Sequence, residues 1–121
     1  MGTDLNTANA VMNSASELEN ELEFDEARRQ FENAANLFVI NADEASAKKA
    51  IKSSLEIREY QHAVGHNPYT LCDYASKKIN NGQFNLAGVV CEQTLELIPE
   101  MAEAHHLTSI VAGFSGDLDL S

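Results

Sequence analysis

The sequence predicts an all-α protein, a stack of antiparallel helical hairpins with about six helices in 121 residues. Three observations carry that expectation. Apolar residues recur near the 3.6-residue period in every patterned segment, with almost no strand signal. The helical stretches are punctuated by Gly65, Pro68, Gly82 and Pro99, the residues that end or begin helices. The pairing of a glycine with an apolar anchor two residues later, Gly82 with Phe84, returns as Gly116 with Leu118, 34 residues on.

Element by element, Val11, Ala15 and Leu18 repeat at i, i+4 and i+7 and predict a first helix over residues 6 to 21, with Asn6 or Thr7 as cap. The run FDEARRQFENAANLF sets Ala27, Phe31, Ala34, Ala35 and Phe38 on one face of a second, its first turn favoured by Asp25 and Glu26. A third spans residues 43 to 63, with Asp43 as N-cap and Ala47, Ile51 and Leu55 on one face. Beyond Pro68, Leu71, Tyr74, Ala75 and Lys78 share the face of a fourth helix that ends at Asn80-Asn81-Gly82. There Gly82 can take the left-handed conformation of a helix end without steric cost. The fifth, GQFNLAGVVCEQTLELIP, sets apolar or small residues at Phe84, Ala87, Val90, Cys91, Thr94 and Leu97, and Pro99 closes it. Phe84 is the expected apolar anchor of the hairpin, and Ala87 allows close helix approach. A sixth, EMAEAHHLTSIVAGF, carries the stripe Leu107, Ile110, Val111 and Phe114.

Composition narrows the function classes. A chain of this length buries enough surface to fold without a staple. Cys72 and Cys91 fall inside helical patterns and read as buried free thiols. The net charge is −11, and all 8 basic residues lie between positions 28 and 78 against six acids, leaving thirteen acids and no base on the flanks. That balance argues against nucleic acid as a partner, because phosphate binding draws on Lys and Arg. No apolar run reaches the ~18 residues that would suggest membrane insertion, and neither a signal peptide nor a myristoylation pattern opens the chain, so a cytoplasmic location is expected.

Catalytic and metal motifs are missing: no glycine-rich phosphate loop, H-E-x-x-H, G-x-S-x-G or C-x-x-C occurs. His62 and His66 are four apart, but Gly65 and Pro68 interrupt their helix and no second ligand pair faces them, so two exposed histidines are expected rather than zinc. Of His105 and His106, which point about 100° apart, one should pack and one should face solvent. The alternate-residue run Glu17, Glu19, Glu21 and Glu23 reads as a solvated helix end. No enzyme, cofactor or metal is expected.

On Ala75, Gly82, Phe84, Ala87 and Pro99, residues 68 to 101 resemble the tetratricopeptide repeat family, whose unit is about 34 residues of helix-turn-helix. Residues 8 to 41 resemble a degenerate repeat, with Leu22 in the glycine position and Val39 in the proline position. Residues 42 to 67 form an irregular helix and loop within the single domain, residues 1 to 121. Residues 102 to 121 resemble a repeat cut off as its second helix begins. Phe84, Ala87, Cys91 and Thr94 match Phe24, Ala27, Phe31 and Ala34 at an offset of 60, which is not a multiple of the family period. Lys78, His105 and Thr108 depart from the bulky apolar groups the family places there. The run FENAANLF followed by a long helix is also similar to the soluble NSF-attachment protein family, a less regular hairpin stack.

The resemblance implies a right-handed α-solenoid whose first helices line a groove for a protein or peptide partner. The groove positions would be Tyr69, Cys72, Ser76, Ile79 and Asn80, followed by Glu103, His106, Ile110 and Phe114. A clamp for a terminal carboxylate is disfavoured because no Lys or Arg follows Lys78. The expected function is a non-enzymatic protein–protein interaction module. The alternatives are the N-terminal repeat region of a longer enzyme or trafficking adaptor, and a self-association unit. If Leu118 begins a second helix that never arrives, the stripe through Phe114 lacks cover, and a homodimer through the C-terminal helix is expected.

Overall fold

The computed structural model describes residues 5 to 115, which form six α-helices and, among the described residues, no strand. These are α1 (Leu5–Asn20), α2 (Phe24–Ile40), α3 (Glu44–Ala63), α4 (Pro68–Asn80), α5 (Phe84–Leu97) and α6 (Ala102–Ser115). The helix order matches the sequence pattern closely. The expected anchor Leu118 and its turn at Gly116 lie outside the described residues.

The chain gathers into two compact units, residues 1 to 58 and 59 to 121, with the division inside α3. In the first unit α1 and α2 form a hairpin, and side chains from the first part of α3 join theirs in the core. One cluster holds Ala8, Ala34, Ala35, Phe38, Ala47 and Ala50, and another holds Ala15, Ala27, Phe31 and Ile57. Alanines at these contacts let helix backbones approach closely, while Phe31 and Phe38 fill the remaining space. Glu19 is also buried in this unit, so the glutamate run is not solvated throughout.

Two local expectations change. α1 is already helical at Leu5, so Asn6 and Thr7 lie within the helix rather than capping it. In the part of α3 that belongs to the first unit the buried positions are Ala47, Ala50, Ser54 and Ile57, and the longer Ile51 and Leu55 face outward. The reason is geometric. Ala47 and Ala50 share a cluster with Ala34, Ala35 and Phe38 of α2, where small residues suit helix contact, and Ile51 and Leu55 lie beyond the edge of that stripe. Asp43 does cap α3, accepting from the Ser46 N–H at 3.2 Å.

In the second unit α4 and α5 make a hairpin, α6 packs on both, and the end of α3 joins them through Tyr60. Asn67 caps α4 by accepting from the N–H groups of Tyr69 and Thr70, each at 3.1 Å, with Pro68 at the first helical position where its missing N–H costs nothing. Leu71, Tyr74, Ala75 and Lys78 are all buried, as their shared face predicts. Leu86, Ala87, Val90, Cys91 and Thr94 form the buried side of α5.

Three turns share one hydrogen-bond pattern. At the end of α4, Gln83 N–H donates to Lys78 O at 2.9 Å and Gly82 N–H to Ile79 O at 3.0 Å. At the end of α1, Glu23 donates to Leu18 at 2.9 Å and Leu22 to Glu19 at 3.0 Å; at the end of α2, Asp43 donates to Phe38 at 2.8 Å and Ala42 to Val39 at 3.0 Å. This is the Schellman arrangement, which satisfies helix-end carbonyls and requires a left-handed residue at its centre. Gly82 takes that conformation at φ 78°, but so do Leu22 at φ 70° and Ala42 at φ 60°. For residues with a Cβ this conformation costs about 1–2 kcal/mol.

Candidate functional site

The residues expected to line a groove lie on α4 and α6, which pack side by side in the second unit. On α4, Tyr69 at the first turn is 69% exposed and Asn80 at the last turn is exposed, while Ser76 and Ile79 are half-buried. Cys72 is only 2% exposed, so its side chain belongs to the interior beneath that face. On α6, Glu103 and His106 are exposed, Ile110 is half-buried, and Phe114 is 67% exposed.

Local sequence explains the placement. Leu71, Tyr74, Ala75 and Lys78 turn toward α5 and the end of α3, leaving Tyr69, Ser76 and Asn80, at i, i+7 and i+11, on the outer side of α4. α6 is held by Ala104 and Leu107, both buried, and by a close approach to α5 at Gly88, where an added Cβ would lie 3.6 Å from Val111 Cγ1. Phe84, at the start of α5, stacks on Phe114 with ring centroids 5.1 Å apart and planes 4° from parallel. The hairpin anchor therefore also covers one side of the exposed phenylalanine.

Electrostatics on this face are mild. Asp73 and Lys77 pair across one helical turn at 3.3 Å, both exposed, a contact worth little in water. Beneath the face, burial pushes the Cys72 thiol up to about 11, with the Glu103 carboxylate, which accepts its hydrogen bond, and Cys91 adding to the effect. Burial also raises the Cys91 thiol, against a lowering hydrogen bond with Thr108. Both thiols are therefore protonated at neutral pH, the form that packs well and reacts poorly. Among the described residues neither takes part in a disulfide.

A second polar array lies inside this unit. Tyr60 and Tyr74 stack with centroids 4.6 Å apart and planes 14° from parallel, and Lys78 Nζ sits 4.9 Å from the Tyr74 centroid. The Tyr60 hydroxyl donates to Gln93 Oε1 at 2.7 Å, and burial raises its pKa more than that bond lowers it. Lys78 is buried, so its aliphatic stem lies in the interior while its charge meets an aromatic face. The sequence reading placed Tyr74 and Lys78 on the buried face but missed Tyr60 and Gln93. Their only signal is that Tyr60 continues α3 beyond its alanine-rich part.

An open depression of about 570 Å³ lies at the end of α3 and the start of α4, lined by Glu59, His62, Ala63, His66, Asn67 and Thr70. Both histidines are exposed, as expected, and among the described residues no three His, Cys, Asp or Glu side chains are placed to hold a metal ion. His105 and His106 are both exposed as well, contrary to the expectation that one packs. The His105 ring instead reaches back to the Pro99 carbonyl, its Nε2–H donating at 2.7 Å. This bond anchors the first turn of α6 without burying the imidazole.

Among the described residues, no helix is long and apolar enough to cross a membrane. No family model, curated protein or solved structure matches this chain.

Proposed function

We propose that this chain is a non-enzymatic interaction module, a helical-hairpin stack of the tetratricopeptide kind, which receives a peptide or helix of a partner protein on the outer side of α4 and α6. One observation carries the reading: Tyr69 stands 69% exposed on the same side of α4 as Ser76 and Asn80, beside a helix that presents His106 and Ile110. A tyrosine so placed contributes little to the core, yet it offers a rigid apolar ring with a polar tip, the combination enriched at binding hot spots. Asn80 supplies an amide that can bond a peptide backbone in both directions. Asp73 balances the charge of Lys77 and α6 carries no Lys or Arg, so the occupant of this face is a neutral or apolar segment rather than an acidic tail.

The test is selection from a displayed peptide library on the immobilised chain, followed by calorimetry with a selected peptide. Combined Tyr69→Ala and Asn80→Ala substitution should weaken binding more than about tenfold, that is by about 1.4 kcal/mol or more. Unchanged affinity would place the binding elsewhere. Self-association through α6 is a second reading, favoured by the exposure of Phe114. Sedimentation at rising concentration tests it, since Phe114→Glu should shift a dimer to monomer while the helical signal persists. A wild-type protein that stays monomeric throughout contradicts it.

A further inference from the structure

Within the first unit, α3 is arranged against the usual order of size. Its inward positions are Ala47, Ala50, Ser54 and Ile57, while Ile51 and Leu55 stand 48% and 50% exposed, one helical turn apart. Each is preceded three residues earlier by a lysine, Lys48 before Ile51 and Lys52 before Leu55, and a three-residue step on a helix makes surface neighbours. From Ala45 to Arg58 there are four bases, Lys48, Lys49, Lys52 and Arg58, against the single acid Glu56, in a chain whose net charge is −11. Lys48 lies 3.4 Å from the Glu44 carboxylate, with both side chains well exposed, so water already weakens that pair and a second carboxylate can compete for the lysine.

We infer that the outward face of α3 between Lys48 and Arg58 docks an acidic amphipathic helix of a partner protein. Two aliphatic side chains of the partner, one turn apart, cover Ile51 and Leu55, and carboxylates flanking them meet Lys48 and Lys52. The spacing favours a helix as occupant. Ile51 and Leu55 are separated by about 6 Å along the axis, at about 1.5 Å per residue, and i, i+4 ridges of a second helix repeat at the same interval. Charge fixes the sign of the partner, because this is the most basic stretch of an otherwise acidic molecule. A nucleic acid would engage the lysines but leave Ile51 and Leu55 uncovered, and the acidic flanks would repel it. This surface is separate from the face on α4 and α6, and the inference stands without it.

The probe is a synthetic helical peptide with leucines at i and i+4 flanked by glutamates and a fluorescent end label, compared with a twin in which each glutamate is lysine. The glutamate peptide should give saturable anisotropy with the full chain, and the twin should not. Combined Ile51→Ser and Leu55→Ser should lower the affinity at least about tenfold. Combined Lys48→Glu and Lys52→Glu should reverse the preference toward the lysine twin. All four side chains are on the surface, so circular dichroism should show each variant as helical as the parent, and Tyr69→Ala should leave the binding unchanged. Lack of saturation with the glutamate peptide overturns the inference, as does binding that survives both double substitutions. Equal or tighter binding of duplex DNA or anionic lipid vesicles, dependent on the lysines but not on Ile51 and Leu55, also overturns it.

Discussion

The first and second units turn their helices over with the same backbone and different residues. At the end of α4 the left-handed position is Gly82; at the ends of α1 and α2 it is Leu22 and Ala42. The hydrogen bonds to the preceding helix-end carbonyls agree to within about 0.1 Å in all three turns. What sets the geometry is therefore the need to satisfy those carbonyls while reversing the chain, and glycine only lowers its cost. Gly65 shows the converse. It has φ 81°, yet His66 and Asn67 both donate to Ala63 O, a different exit from a helix.

The cores differ too. The first unit relies on small residues, seven of them alanines in its two clusters together with Phe31, Phe38 and Ile57. The second buries Leu71, Leu86, Val90, Tyr60 and Tyr74, and accommodates Lys78 against an aromatic ring. An alanine-rich interface concentrates its apolar burial in a few large side chains, whereas the second unit distributes it.

That contrast predicts the largest effect. Phe38→Ala should destabilise the first unit by about 3–5 kcal/mol, since a fully buried ring is lost and alanine neighbours cannot close the cavity. Leu71→Ala in the second unit should cost about 2–5 kcal/mol, toward the lower end because longer neighbours can relax into the space. Native-state hydrogen exchange of amides in each unit reads the two values separately. Leu71→Ala proving the costlier of the two would break the comparison.

Exchanging the turn residues should have a smaller effect, of opposite sign in the two units. Leu22→Gly and Ala42→Gly each relieve the left-handed strain and should stabilise by up to about 1 kcal/mol, the flexible glycine offsetting part of the gain. Gly82→Ala should destabilise by about 1–2 kcal/mol from backbone strain alone, since nothing lies within 4 Å of an added Cβ there. Urea midpoints of the three variants test this. A loss of stability in Leu22→Gly would show that the Leu22 side chain contributes more than its conformation costs.

The smallest effect appears only in alkali. The Cys72 thiol is raised from 9.0 to about 11 in the folded protein, so the folded state holds its proton more tightly than the unfolded chain does. Stability from this group is complete below pH 9 and falls as pH rises from 9 to about 11. Tyr60, also raised by burial, adds to the decline above its ordinary value of 10.0. Both groups belong to the second unit, and Cys72→Ala should flatten the part of the stability profile that begins at pH 9. A profile unchanged in that variant would mean that the thiol titrates alike in both states.

These differences also mark how far the sequence could be read. Helices were legible wherever apolar residues kept a 3.6-residue period, and the end of α4 was legible because Gly82 advertises its conformation. The turn after α2 was not, because Ala42 carries no such signal. Turn centres at Leu22, Ala42 and Gly82 lie 20 and then 40 residues apart, so the offset of 60 spans three helices, α2, α3 and α4, where a hairpin repeat of about 34 residues spans two. On α3 the expected face of Ala47, Ile51 and Leu55 holds only at Ala47: hydrophobicity points to Ile51 and Leu55, whereas the cluster is completed by the small Ala50. At the candidate face, periodicity placed Tyr69 and Asn80 outward, but it could not tell that Cys72, on the same side of α4, is covered, since that depends on how closely α6 approaches.

The central claim, that the outer side of α4 and α6 receives a peptide, is tested most directly by a nuclear magnetic resonance titration of the labelled chain with a library-selected peptide. Amide shifts should concentrate at residues 69 to 80 and 103 to 114, and the Tyr69 ring protons should move with the same midpoint. Shifts confined to the first unit, with the Tyr69 ring unmoved at saturation, would contradict the account.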